Sequence, residues 1–245
     1  MIRIYHTSDL HDRRGFVEPL RRLRAQAPGL LVDCGDSLRG SQTVFFPREP
    51  VLRELDAAGY DVQAMGNREF NYLFAAVRAR AAQMKHPFVC SNLIDLRGRT
   101  LPFAREHRLA RDDDARKWRI VFCALLVPQY PAGSPWERIF GWRFLEPRAV
   151  VEERARALEE GETLVVLSHL GLRADRELAR AVPRIELILG GHSHDTLERP
   201  ELVGETPIVH AGPFGRYVSR SELVFDEERR RAKLESFALL PLLAS

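Results

Sequence analysis

Seven side chains in this 245-residue chain have the types and spacing of a metal centre. They are Asp9 and His11 in SDLHD, Asp36 in DCGDS, Asn67 in MGNREF, His169 in LSHLG, and His192 and His194 in LGGHSHD. Carboxylate, amide and imidazole are the oxygen and nitrogen donors that hard and borderline divalent cations select. An apolar run precedes most of them: IRIYHTS before Asp9, LLVDCG before Asp36, LVVLS before His169, IELILGG before His192. Polar ligands at the ends of buried strands are how an open α/β sheet builds a site at its edge. A carboxylate able to bridge, an amide oxygen and several imidazoles suit two cations ~3.5–4 Å apart, which clamp a phosphoryl oxygen and lower the pKa of bound water toward ~7. Such a centre needs no serine or cysteine nucleophile, and the seven include none. Taken singly, each residue reads equally well as a capping Asp or Asn or a core histidine. Seven in one order at strand ends argue for a shared site.

The elements that must hold these residues alternate. Strands are predicted at 2–8, 29–34, 61–65, 87–91, 163–168 and 185–190, with helices at 16–27, 48–58, 71–84, 147–160 and 173–181. The first helix places Phe16, Leu20, Leu23 and Ala27 on one face, the spacing of an amphipathic helix. Residues 100–127 read as a hairpin whose second arm is WRIVFCALLV, and 207–240 as further strands that form a second sheet or extend the first. Strands alternating with helices imply an α/β fold with a parallel or mixed sheet covered on both faces. No repeat or low-complexity linker interrupts the chain, so one domain over 1–245 is the simplest expectation.

Composition excludes several classes. With 45% hydrophobic residues the chain can build a sizeable core. No apolar run approaches the ~18–20 residues of a membrane span. MIRIYHTSDL lacks a signal pattern, so a cytoplasmic location without membrane partners is expected. Cys34, Cys90 and Cys123 have no CxxC spacing and read as small core hydrophobes in a reducing compartment. The net charge of +3 comes almost wholly from arginine, with lysine only at 85, 117 and 233, and an acidic run at 112–114 offsets it. Acidic residues are interspersed throughout, so nucleic acid is not an expected partner.

Taken together, the fragments resemble the calcineurin-like metallophosphoesterases, and within them the catalytic domain of the 5′-nucleotidase branch. That branch typically opens with a His-Thr-x-Asp-x-His string like His6-Thr7-Ser8-Asp9-Leu10-His11. The resemblance runs from residue 2 to about 225 and includes Gly35-Asp36, Gly66-Asn67, Ser168-His169, Gly191-His192-Ser193-His194 and the tail AGPFGRYVSRSEL. It implies a four-layer α-β-β-α sandwich of two mixed sheets with a dimetal site at the strand ends. It also implies one cation on Asp9, His11, Asp36 and His194, and a second on Asp36, Asn67, His169 and His192, with Asp36 bridging. The two cations would be Mn, Fe, Zn or Co, manganese being one candidate. Two departures stand out. The family's Gly-Asn-His-Glu or Gly-Asn-His-Asp motif has Arg68 at the His position, and Asn71 replaces the Asp that orients that His. Arginine cannot yield its proton, but its planar fork grips phosphoryl oxygens, so Arg68, with Asn71 beside it, is a candidate substrate-binding residue. Alternatively Arg68 is a surface arginine paired with Glu69. The second departure is length: the C-terminal nucleotide-binding domain of the secreted 5′-nucleotidases has no counterpart in the sequence.

The implied activity is metal-dependent hydrolysis of a small phosphate ester, a 5′-nucleotide being one candidate, by attack of a metal-activated hydroxide, with Asn67 and Arg68 as catalytic residues. The alternatives are a phosphodiesterase on cyclic nucleotides or nucleic-acid ends, and a non-catalytic binding scaffold. Residues 127–144 concentrate Tyr130, Trp136, Phe140 and Trp142, a candidate lid or stacking surface for a substrate that could equally pack over the core or form a subunit contact. Phe45 and Phe46 are candidates to line a pocket. His6 is a candidate hydrogen-bond partner for a ligand, His210 reads as a buried strand histidine, and His86 and His107 as loop or surface residues.

Overall fold

The computed structural model describes residues 1–112 and 117–243. Successive side chains of a strand point to opposite faces, and the strands here are apolar on both. In β1 (Ile2–Thr7), Ile2 and Ile4 face one core while Tyr5 faces another. Sheets with two apolar faces must be covered twice, and that requirement organises the molecule.

The first sheet places β1 beside β2 (Leu30–Asp33), then β3 (Val62–Ala64) and β4 (Phe88–Val89), all parallel. On its other side β13 (Tyr217–Asp226) and β14 (Arg231–Pro241) add antiparallel. The second sheet runs β7 (Lys117–Leu126), β9 (Glu162–His169), β10 (Leu187–Gly190) and β12 (Thr206–His210) in parallel. Its antiparallel edges are β6 (His107–Asp112) and β11 (Glu201–Val203). Ile4, Val32 and Val62 of the first sheet pack against Ile120, Phe122, Val165 and Leu189 of the second. Outside the first, Tyr5, Leu31 and Val218 meet Leu20 of α1 (Val17–Gln26) and Val51, Leu52 and Leu55 of α2 (Val51–Ala58). Outside the second, Val121, Val166 and Ile188 meet Val150 and Val151 of α5 (Pro147–Arg156) and Leu172 and Leu178 of α6 (Leu172–Ala181). Helix, sheet, sheet, helix is the four-layer mixed-sheet sandwich that the resemblance implied.

The differences from expectation are local. The helix expected at 71–84 shrinks to α3 (Phe74–Ala81), because Leu73 is extended and its N–H goes to Asn71 Oδ1 at 2.9 Å. The helix expected at 48–58 begins only at Val51, after Pro47 and Pro50. The tail divides: β12 joins the second sheet, while β13 and β14 extend the first. Residues 127–144 contain a short helix α4 (Pro135–Phe140) and a strand β8 (Trp142–Phe144), which pairs with β5 (Leu93–Asp95). Within them Trp142 and Tyr130 are buried in the cluster with Phe70 and Phe144, whereas Trp136 stays exposed. His86 is no surface residue: its ring bridges Asp56 and Gln63 at 3.1 and 2.8 Å. The turn of the 100–127 hairpin and most of the acidic run at 112–114 fall at 113–116, outside the described residues. Among the described residues no helix is long and apolar enough to cross a membrane.

Candidate metal centre

Parallel strands send their C-terminal ends to one edge of a sheet. Asp9 follows β1, Asp36 follows β2, Asn67 follows β3, His169 ends β9 and His192 follows β10. The two sheets are held together at that edge by polar contacts: His169 Nδ1 lies 2.8 Å from the Cys34 carbonyl, and the His192 N–H donates to Asp9 Oδ2 at 3.0 Å.

Five of the seven residues leave their strand in left-handed backbone: Asp9 (φ 52°), His11 (51°), Asp36 (58°), His192 (74°) and His194 (61°). Non-glycine residues adopt this region rarely, Asn, Asp and His most readily, and they persist there when surrounding bonds over-determine them. Those bonds are present. Asp9 N–H donates to the Gly35 carbonyl at 2.8 Å, His11 N–H to that of Asp36 at 2.9 Å, and Phe214 N–H to that of Asp9 at 2.8 Å. The Arg68 N–H donates to Asp36 Oδ1 at 2.7 Å.

The donor atoms converge in two overlapping groups, Asp9 with His11 and His194, and Asp9 with Asp36 and His169, each within 4.8 Å. The imidazoles pair the same way, His11 with His194 and His169 with His192, ring centroids 5.0 Å apart in both pairs. His169 Nε2 is 3.3 Å from Asp36 Oδ1, His194 Nε2 is 3.5 Å from Asp9 Oδ1, and His11 Nε2 lies 3.8 and 3.9 Å from Asp9 and Asp36. The buried Nε2 atoms of His11 and His169 make no hydrogen bond among the described residues. Buried polar atoms are ordinarily satisfied, so two unsatisfied imidazole nitrogens turned onto two carboxylates fit a cation. The Cys34 carbonyl takes the Nδ1 proton of His169 and leaves Nε2 as the ligating atom, the usual arrangement around a metal-bound imidazole. Burial opposes charge at His169, yet the Asp36 carboxylate outweighs it and lifts the imidazole to about 9. Burial alone would raise Asp36 too, but His169 and the Arg68 N–H draw it down to about 2. Burial and the charge on His169 lower His192. The site is built for positive charge.

Other expected residues stand close by in different roles. Asn67 reaches the site with its nitrogen, Nδ2 lying 3.3 Å from His192 Nδ1, while its oxygen accepts from Gln129 at 2.9 Å. Ligation through the oxygen requires a half-turn of this amide. The Arg68 guanidinium rests on the carbonyls of Leu38 and Arg39 at 3.5 and 3.3 Å. It has no ion pair with Glu69, whose carboxylate is buried and bonded to backbone N–H groups. Asn71 is buried with both ends of its amide on backbone, the Ser41 carbonyl at 3.2 Å and the Leu73 N–H at 2.9 Å. That makes it an anchor for the 41–46 loop, in place of the substrate contact expected of it. His6 turns from the ligands to Ser219 Oγ at 3.0 Å, and burial and nearby His210 push it down to about 3. His210 is buried against Asp175 at 2.8 Å. Phe45 is exposed, and Phe46 lies under Arg39, whose guanidinium is 3.9 Å from the ring centre. Sequence reasoning misses Gln129 and Phe214, and offers Glu69 only as an ion-pair partner for Arg68. The Phe214 ring lies edge-on to His11 and His194, with centroids 5.2 and 5.7 Å away. Only its place in the AGPFGRY tail hinted at that position.

A two-sheet sandwich carrying paired carboxylates and imidazoles at its strand ends defines the hydrolytic dinuclear-metal class. The calcineurin-like phosphoesterase profile matches residues 2–196, and the chain belongs to that family, whose members use a dinuclear metal site. It is 28% identical over 94% of its length to an uncharacterized metallophosphoesterase, YunD, of Bacillus subtilis, and covers 51% of that protein. A snake venom 5′-nucleotidase from Gloydius brevicauda is 25% identical over 85% of the chain, which covers 39% of that enzyme. The crystal structure of a 5′-nucleotidase precursor from Thermus thermophilus superposes with a TM-score of 0.76 at 22% identity, over 99% of this chain and 54% of that one, and so shares the fold. The chain thus spans about half the length of the curated relative YunD.

Proposed function

We propose that this chain is a phosphomonoesterase that hydrolyses a small phosphate ester, with 5′-nucleotides the first class to test. One observation carries the reading: the unsatisfied Nε2 atoms of His11 and His169 converge on Asp9 and Asp36 at the strand ends. Asp9, His11, Asp36 and His194 would hold one divalent cation, and Asp36, Asn67, His169 and His192 the other. When bound, such a pair supplies an activated water at neutral pH and positive charge for the phosphoryl oxygens. The donor set accepts Mn, Fe, Zn or Co, and availability selects among them. The chain's own groups do the rest. The Cys34 carbonyl orients His169 and the Arg68 N–H holds Asp36; to grip phosphate oxygens the Arg68 guanidinium would leave the Leu38 and Arg39 carbonyls. The nucleotide assignment draws support from the named 5′-nucleotidases among its distant relatives.

Arg68 cannot donate a proton to a leaving alkoxide, and general acid help is commonly worth ~10²–10⁴-fold. A hydrolysis screen with each metal, monoesters beside diesters, tests the reading. Nitrophenyl esters, whose leaving group needs no proton, should be cleaved far faster than 5′-nucleotides. Arg68→His should narrow that gap, and Arg68→Ala should slow both classes. A metal-loaded chain inactive on every monoester and diester overturns the proposal. Faster cleavage of diesters moves it to phosphodiesterase chemistry.

A further inference from the structure

The loops bearing Asp36 and Asn67 leave different strands, and one buried carboxylate sits between them. Glu69 Oε2 accepts the N–H of Asp36 at 2.8 Å and of Gly66 at 2.9 Å, and Oε1 accepts those of Ser37 at 2.9 Å and Leu38 at 3.1 Å. An ionised carboxylate has about four acceptor sites, so its capacity is filled by backbone. The seam is tight. A Cβ on Gly66 would lie 2.4 Å from the Asp36 nitrogen, and one on Gly35 would lie 2.5 Å from the Gly66 nitrogen. Behind Glu69 the fully buried Arg80 donates to the carbonyls of Glu69 and Phe70 at 3.3 and 2.7 Å, fixing where the carboxylate starts from.

We propose that Glu69 is a positioning residue that clamps the Asp36 and Asn67 loops together, so that two of the four ligands expected for the second cation face one point. This rests on the dinuclear reading above. Asp36 is held in left-handed backbone at φ 58°, and the Glu69 bond to its N–H is one of the contacts that hold it there. Asn67 follows Gly66, whose N–H is tied to the same oxygen. The first cation draws most of its ligands from the Asp9 and His192–His194 loops, which Glu69 does not touch. Its loss should therefore act selectively on the second.

Glu69→Gln keeps shape and volume but replaces one acceptor oxygen by an NH₂ group facing N–H donors. Chelator-treated protein is titrated with Mn²⁺ alone, read by calorimetry and by the electron paramagnetic resonance of coupled manganese pairs. Glu186→Gln is the control, a buried carboxylate that accepts the Leu164 N–H at 2.7 Å at the opposite end of β10. Wild type and the control should take up two ions and show the coupled spectrum. Glu69→Gln should retain one ion, lose affinity for the second by about 10–100-fold, and show an uncoupled spectrum. Two ions at wild-type affinity in Glu69→Gln overturn the clamp, even if its melting temperature falls as far as the control's. A wild type that takes up no manganese overturns the dinuclear reading, and the clamp with it. If Glu69→Gln does not fold, hydrogen exchange of the wild type decides. The loop amides of Asp36, Ser37, Leu38 and Gly66 should exchange as slowly as those of β1, and exchange as fast as at exposed Gly98 and Gly133 overturns the proposal.

Discussion

His169 shows what a single residue contributes before any metal arrives. In the metal-free protein its imidazole is lifted to about 9 by Asp36, against the burial that opposes its charge. A folded value above the unfolded value of ~6.5 gives stability that is fully present below pH ~6.5 and lost as pH rises through the folded value. Chelated protein should therefore lose stability between about pH 6.5 and 9, measured as a falling melting temperature. A divalent cation takes the place of that proton, so metal affinity should rise across the same interval. Calorimetry near pH 7 in buffers of different ionisation enthalpy should show proton release on binding. A chelated protein with a flat melting temperature over that range would falsify the assignment of the proton to His169. The seven ligand candidates were legible in the sequence because metal-ligating residue types recur after apolar runs in one order. Glu69 and Gln129 were not, since their partners are backbone amides and the amide of another ligand, and no residue pattern encodes those. Arg68 was visible as a departure, but where its guanidinium rests depends on the path of the 38–39 loop.

At the level of elements, the strand-end loops are what bring the ligands together, and glycine lets them approach. Gly66→Ala would press a methyl group onto the Asp36 nitrogen and, at 2.5 Å, onto its Oδ1. We expect it to cost about 1–3 kcal/mol and to lower metal occupancy, followed by denaturant unfolding and elemental analysis. Gly98→Ala is the comparison: φ is +68°, nothing lies within 4 Å of the added atom, and the cost should be about 1–2 kcal/mol of backbone strain with occupancy intact. Equal metal contents in the two variants would show that the seam does not position Asp36. Strands were read well from apolar runs such as LVVLS and IELILGG. Helix starts were read less well. The 41–50 loop is held by Glu49, whose carboxylate takes the Arg39 and Gly40 N–H groups at 3.0 and 3.2 Å, and by Arg80 on the Ser41 carbonyl at 3.1 Å. These contacts hold the loop that leads into α2, which begins at Val51 after Pro47 and Pro50.

For the molecule as a whole, stability and chemistry are partly separable, because the core between the sheets lies away from the strand ends. Phe122 on β7 is fully buried between them and its strand carries no ligand candidate. Phe122→Ala should cost about 3–5 kcal/mol, seen as a lower denaturant midpoint, while the folded fraction still binds its full complement of metal. Loss of metal from molecules that remain folded would show instead that β7 packing sets the geometry of β9 and His169. By itself the sequence determined the candidate donors, the alternation of strands and helices, and the apolar faces that require covering on both sides. Residue type and periodicity are local properties, and these features need nothing more. The tertiary structure alone decided which sheet each tail strand joins, that Asn71 anchors a loop, and that Asn67 meets Gln129. It alone decided that one glutamate ties two ligand loops. The Glu69, Asn71 and Asn67 contacts bring together groups 30 or more residues apart in the chain, and neither a backbone N–H nor a side-chain amide has a partner until the fold sets its position.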